Sequence, residues 1–185
     1  MSVTKSNRMH IRRLTTDAIL IALFVVFSTF LSFKTPLFEV SLVSLPILLC
    51  AFYCGPLDAL AVAAIGSFLE QALSAYGLSV TTPIWMAPVI LQALAAALLF
   101  HFFYRGKKAP LWVLIAIIVV SELVLTATNT AALYLDGAVW GYSVKALHLL
   151  LPTRLINGGV RCVLSCTLLP LVLPALNRSL PVRTE

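Results

Sequence analysis

Along this chain, long apolar runs alternate with short polar punctuation. Runs at roughly 15–33, 83–104, 110–134 and 147–176 each approach the ~20 residues needed to cross a bilayer. Two further runs are less regular: 40–54 is short and holds Pro46, and 58–75 carries Glu70 and Gln71. Short, proline-bearing or polar spans are tolerated where they face protein or water instead of lipid. The punctuation is "FKTPLFE", "CGPLD", "YGLSVTTP", "YRGKKAP" and "DGAVWGYS", each rich in turn formers or charge. This pattern predicts an all-α integral membrane protein, a bundle of six transmembrane helices forming one domain over 1–185. No internal repeat or low-complexity segment interrupts it. The run from Ala18 to Phe33 is longer than the core of a secretory signal and has no small-x-small site after it, so it reads as a retained first span.

Composition agrees. Hydrophobic residues make up 61% of the chain and charged residues only 11%, against about half and about a quarter in soluble domains. The mean hydropathy is +1.01. The net charge of +6 sits in short basic blocks between apolar spans, not along one polar face, which argues against nucleic acid as a partner and for a lipid bilayer. With six spans, Lys5, Arg8, Arg12, Arg13, Arg105, Lys107, Lys108, Arg178 and Arg183 fall on one side. Only Lys34 and Lys145 lie in the opposite loops. The positive-inside rule then places both termini, the basic segment 1–13 and the tail 177–185, in the cytoplasm of a multi-pass protein of the cell membrane.

Polar residues within the spans carry the chemistry. In "LLPTRLINGG", Arg154, Asn157 and Arg161 recur at i, i+3 and i+7, one helix face, and Gly158 and Gly159 permit close approach. Arginine at membrane depth costs at least a few kcal/mol against lipid, so this face points into protein. An ion pair of Arg161 with Glu70 or Glu122, or a snorkelling Arg154, is the purely structural account. Gln71, Gln92 and Asn129 recur on other spans, the last beside Thr126, Thr128 and Thr130, while Trp85, Trp140, Tyr76 and Tyr142 gather near the outer loops. Candidate ligand contacts are therefore Arg154, Asn157, Asn129, Gln92, Gln71, Trp85 and Lys34, suited to a small anionic or amide-rich molecule. The pairs Cys50/Cys54 and Cys162/Cys166 are each one turn apart and read as small packing residues, with no metal and no cofactor expected. His10, His101 and His148 are scattered, and GxSxG, HExxH and GxxxxGK[ST] are absent, so neither an enzyme nor a self-powered ATPase is expected.

Ala18 and Ala22 form a small-xxx-small pair at the cytoplasmic end of the first span, a face that lets helices pack closely. With this pair the whole chain resembles the substrate-binding S component of an energy-coupling-factor (ECF) vitamin transporter: basic N-terminus, AxxxA, six spans and the turn "CGPLDA". The segment "STFLSFKTPLFEVSLVSLPILLCAFYCGP", with its S-x-K-T-P loop, and "LLPTRLING" resemble the folate-family S components. "GSFLEQALSAYGLSVTTPIWMAPVILQAL" looks closer to S components linked with pantothenate, with Gln92 where those often carry arginine. The resemblance implies a high-affinity vitamin-binding subunit, for folate or a related B vitamin, with pantothenate the alternative. Ala18 and Ala22 would dock on a transmembrane T component, and two cytoplasmic ATPase subunits would hydrolyse the ATP. A stand-alone carrier coupled to an ion through Glu70 or Glu122 is the competing mechanism, and a non-transporting membrane scaffold a third.

Overall fold

A computed structural model describes residues 2–34, 39–74, 77–104 and 110–179. Its elements run α1 (Ser2–Thr29), β1 (Phe33–Lys34), β2 (Glu39–Val40), α2 (Ser44–Tyr53), α3 (Pro56–Leu73), α4 (Thr82–Tyr104), α5 (Leu111–Trp140), α6 (Val144–Leu149) and α7 (Leu151–Ser179). The expected all-α bundle is present. α3, α4, α5 and 147–173 are long and apolar enough to cross a membrane. The apolar half of α1 and the ten-residue α2 complete the six-helix arrangement.

Local chemistry fixes the boundaries. Gly55, with φ of 104°, adopts a backbone that favours glycine, and Pro56 follows at the first turn of α3, where its missing N–H has no helical partner to lose. α5 ends on Gly141 in the left-handed region (φ 72°), with the Tyr142 N–H closing onto the Gly137 carbonyl at 2.8 Å. The fifth span therefore runs six residues beyond the expected 134. "DGAVWG" reads as a turn by composition, but Gly137 serves the helix: a Cβ there would lie 2.7 Å from Leu147 Cδ1, so glycine lets α6 fold back on α5. Between α1 and α2 the expected loop holds one antiparallel rung pair, Phe33 opposite Val40 and Lys34 opposite Glu39.

α4 lies between α3 and α5, while α1 packs on α3 and α2. Where α3 and α4 pack in the bundle, both bury alanines completely, Ala59 and Ala63 on α3 and Ala93 and Ala96 on α4, as suits close helix packing in a membrane. Gly66 on α3 receives Phe24 of α1: a Cβ at Gly66 would meet that ring at 2.9 Å. Outward the surface is greasy, with Phe30 83% and Phe102 87% exposed, the distribution a lipid solvent demands and water would penalise. Polar side chains are instead inside: Gln92, Ser121 and Glu122 are buried at membrane depth.

Candidate functional site

Leaving aside the short α6, the helices α1–α5 and α7 alternate in direction, so the hairpin, the C-terminal ends of α3 and α5, and the N-terminal ends of α2, α4 and α7 share one end of the bundle. Six of the seven candidate ligand residues stand on helices that reach this end. Three of them meet. Arg154, in the first turn of α7, donates from Nη1 to the Asn129 carbonyl of α5 at 3.0 Å. Its guanidinium lies 5.7 Å from the ring centroid of Trp85 on α4, within cation–π range. Arg154 is thus pinned between two helices with its planar face and its donors oriented. It does not snorkel away as a lone interfacial anchor.

Asn157 lies one turn deeper, with Oδ1 buried and unpartnered among the described residues. Two turns below Trp85, Gln92 is fully buried and donates from Nε2 to Ser44 Oγ at 3.1 Å, leaving Oε1 unsatisfied among the described residues. An unpartnered buried polar atom costs about 1–3 kcal/mol. Two such atoms on helices that also carry Arg154 and Trp85 are groups that a ligand with complementary donors would relieve. Gln71 is half-buried near the C-terminal end of α3. Lys34 is placed by its backbone in β1, whose partner strand β2 packs on α7.

The glycine expectation resolves residue by residue. At Gly158 a Cβ would lie 2.5 Å from Thr126 Oγ1, so this glycine sets the α5–α7 approach; Gly159 faces open space. The threonines of α5 satisfy themselves: Thr126, Thr128 and Thr130 donate to the carbonyls of Glu122, Val124 and Thr126 at 2.9, 2.6 and 2.7 Å. Of the outer aromatics, only Trp85 reaches the polar group. Trp140 and Tyr142 are exposed, as an interfacial belt requires, and Tyr76 lies outside the described residues.

Arg161 does not form the ion pair with Glu70 or Glu122 that its depth suggests. Its Nε is buried without a hydrogen-bond partner among the described residues, and Glu122 instead accepts from Ser165 Oγ at 2.9 Å, one turn further along α7. The α5–α7 contact brings the shorter hydroxyl to the carboxylate first. Sequence reasoning missed Ser44 and Ser165, because a lone serine in an apolar span carries no distinguishing signal. It also missed Asp136, two turns beyond Asn129 on α5, which buries Oδ1 without a partner among the described residues; the i, i+7 spacing from Asn129 was the available clue.

Ala18 and Ala22 are exposed on α1, while Leu20, Phe24 and Ser28 face the bundle. The helix therefore keeps its small-residue face free.

A membrane bundle of this kind, with a polar group at one end and a free small-residue face near the other, is the form of a substrate-specific transport subunit. The family of ECF transporter substrate-specific components matches residues 12–173, and the chain belongs to it. A solved structure described as the S component of a bacterial ECF transporter shares the fold, with a TM-score of 0.64 at 22% identity, covering 93% of this chain and 99% of that one. No curated protein matches the sequence significantly.

Proposed function

We propose that this chain is the high-affinity vitamin-binding subunit of an ATP-driven importer, with folate or a related B vitamin as ligand and pantothenate as the alternative. The observation that carries the reading is the oriented Arg154: its guanidinium is held by the Asn129 carbonyl and Trp85, and the same two helices, α7 and α4, bury the Oδ1 of Asn157 and the Oε1 of Gln92 with no partner among the described residues. Guanidinium donors suit a carboxylate or carbonyl, the indole suits a flat or apolar part, and the amides and Asp136 suit N–H groups. A vitamin with carboxylate, amide and ring chemistry offers all three. The S-x-K-T-P loop at Ser32 to Pro36 and "LLPTRLING" favour folate; Lys34 and Gln71 are then the remaining candidate ligand contacts.

The excess of Lys and Arg at the ends of the chain and between the fourth and fifth spans supports cytoplasmic termini in the cell membrane, with the pocket opening outward. A T component then docks on Ala18 and Ala22, and two ATPase subunits supply the energy. To test the reading, the protein is purified from cells grown in rich medium and its co-purified small molecule is identified by mass spectrometry. A folate is expected, pantothenate would select the alternative, and no saturable binding of any vitamin would refute the proposal.

A further inference from the structure

At the end of the bundle opposite Arg154, α1, α2 and α3 bring together a second polar group that ligand capture does not use. From Ser44, which holds Gln92, to Cys54 is ten residues, or about 15 Å along the helix axis. Here Asp17 of α1 faces Cys50 and Cys54 of α2, and the carboxylate oxygen and both sulfurs lie within 4.8 Å of one another. Cys50 is fully buried, and Asp17 Oδ1 is buried with no hydrogen-bond partner among the described residues. Asp58 of α3 stands behind them. Its Oδ1 accepts from both Nε and Nη2 of Arg13, the Nε contact at 2.7 Å, and its Oδ2 is buried and unpartnered among the described residues. The charge of Asp58 acts on Asp17 and on both cysteines.

We propose that Asp17, Cys50 and Cys54 bind a thiophilic divalent cation of the zinc class. Two thiolates and one carboxylate are a borderline-soft donor set, which selects zinc-like ions over magnesium or calcium. The two cysteines stand one turn apart on the same face of α2, and Asp17 closes the third side from another helix, leaving the fourth position of a tetrahedron to water. Binding displaces the two thiol protons to solvent, so affinity falls as pH is lowered. Arg13 offsets the charge of Asp58, so the second carboxylate near the site does not make it prohibitively anionic. The ion ties α1 to α2 beside Ala18 and so fixes the orientation of the exposed Ala18–Ala22 face. This inference stands apart from the vitamin reading and survives its failure.

The test uses full-length protein, reduced and stripped of metal in detergent, titrated with Co²⁺ and separately with Zn²⁺. One ion per chain is expected, with a sulfur-to-cobalt charge-transfer band in the near ultraviolet and a higher Tm with zinc than with chelator. Cys54→Ser and Asp17→Asn, at the two less buried ligands, should each weaken binding sharply, and Cys54→Ser should weaken the band. A Cys162→Ser/Cys166→Ser double variant, lacking the other cysteine pair, should keep band and stoichiometry. The proposal is overturned by an absence of stoichiometric binding, by a band that survives Cys50→Ser together with Cys54→Ser, by unchanged affinity in Asp17→Asn, or by loss of binding in the Cys162/Cys166 variant.

Discussion

At the scale of single residues, the strongest consequences come from groups whose surroundings leave them no freedom. Arg154 presents a planar fork held from two sides. Arg154→Lys keeps the charge but loses the fork and the ring stacking, and Arg154→Ala loses everything. Loss of a charge-assisted contact in a buried site costs roughly 2–5 kcal/mol, so calorimetry on the alanine variant should show vitamin affinity about 30- to several-thousand-fold weaker. Wild-type affinity in that variant would reduce Arg154 to a structural strut. Gly158 offers a sharper stability test. A methyl at 158 would collide with Thr126, whose rotamer is fixed by its bond to the Glu122 carbonyl, and overpacking of this kind costs about 1–3 kcal/mol. Gly158→Ala should therefore lower Tm in detergent and Gly159→Ala should not. Adding Thr126→Ala, which removes the Oγ1 and Cγ2 nearest the new methyl, should restore part of the loss. Equal effects at 158 and 159 would mean that helix propensity, not the α5–α7 contact, governs this pair.

At the scale of elements, the sequence made the helices legible and hid what they do to one another. Apolar runs long enough to cross a membrane have few alternatives to helix, because lipid leaves backbone groups no other partner. The six runs accordingly appear as α1–α5 and α7. What failed was punctuation by composition: "DGAVWG" continued as helix because Gly137 is a contact for Leu147 and not a turn. Partner choice was equally hidden. Spacing put Arg154, Asn157 and Arg161 on one face, but it could not say that Trp85 would stack on the first or that Ser165 would reach Glu122 before Arg161 did. Those outcomes depend on rotation and depth of separate helices, which no local pattern encodes. The small-residue pair on α1 is exposed, since the large residues Leu20 and Phe24 occupy the opposite side. Tryptophan at Ala18 or Ala22 adds bulk to that free face without touching the fold. Uptake by whole cells should fall severalfold or more while vitamin binding by the purified variants stays at the wild-type level. Normal uptake in both variants would remove α1 as the docking helix.

At the scale of the whole molecule, the question is what drives accumulation. Glu122 is the one buried carboxylate at mid-depth among the described residues, and it already accepts a bond from Ser165, with its second oxygen unpartnered. Were the chain a carrier, that carboxylate would need to load and release an ion as the bundle opens alternately to each side. The packing does not favour such opening: α5 is sealed to α7 by Gly158 on Thr126 and packs along α4, so Glu122 is closed in on both flanks. On the proposed reading, release is therefore driven by partner subunits and not by ion loading at Glu122. Reconstituted alone into liposomes with an imposed proton or sodium gradient, the protein should bind vitamin at the membrane but not concentrate it in the lumen. Co-reconstituted with a T component and two ATPase subunits, it should accumulate vitamin when ATP is supplied on the cytoplasmic side, and a protonophore should leave that accumulation intact. Concentrative, gradient-dependent uptake by the lone chain, abolished in Glu122→Gln, would instead make it a carrier and Glu122 its coupling group.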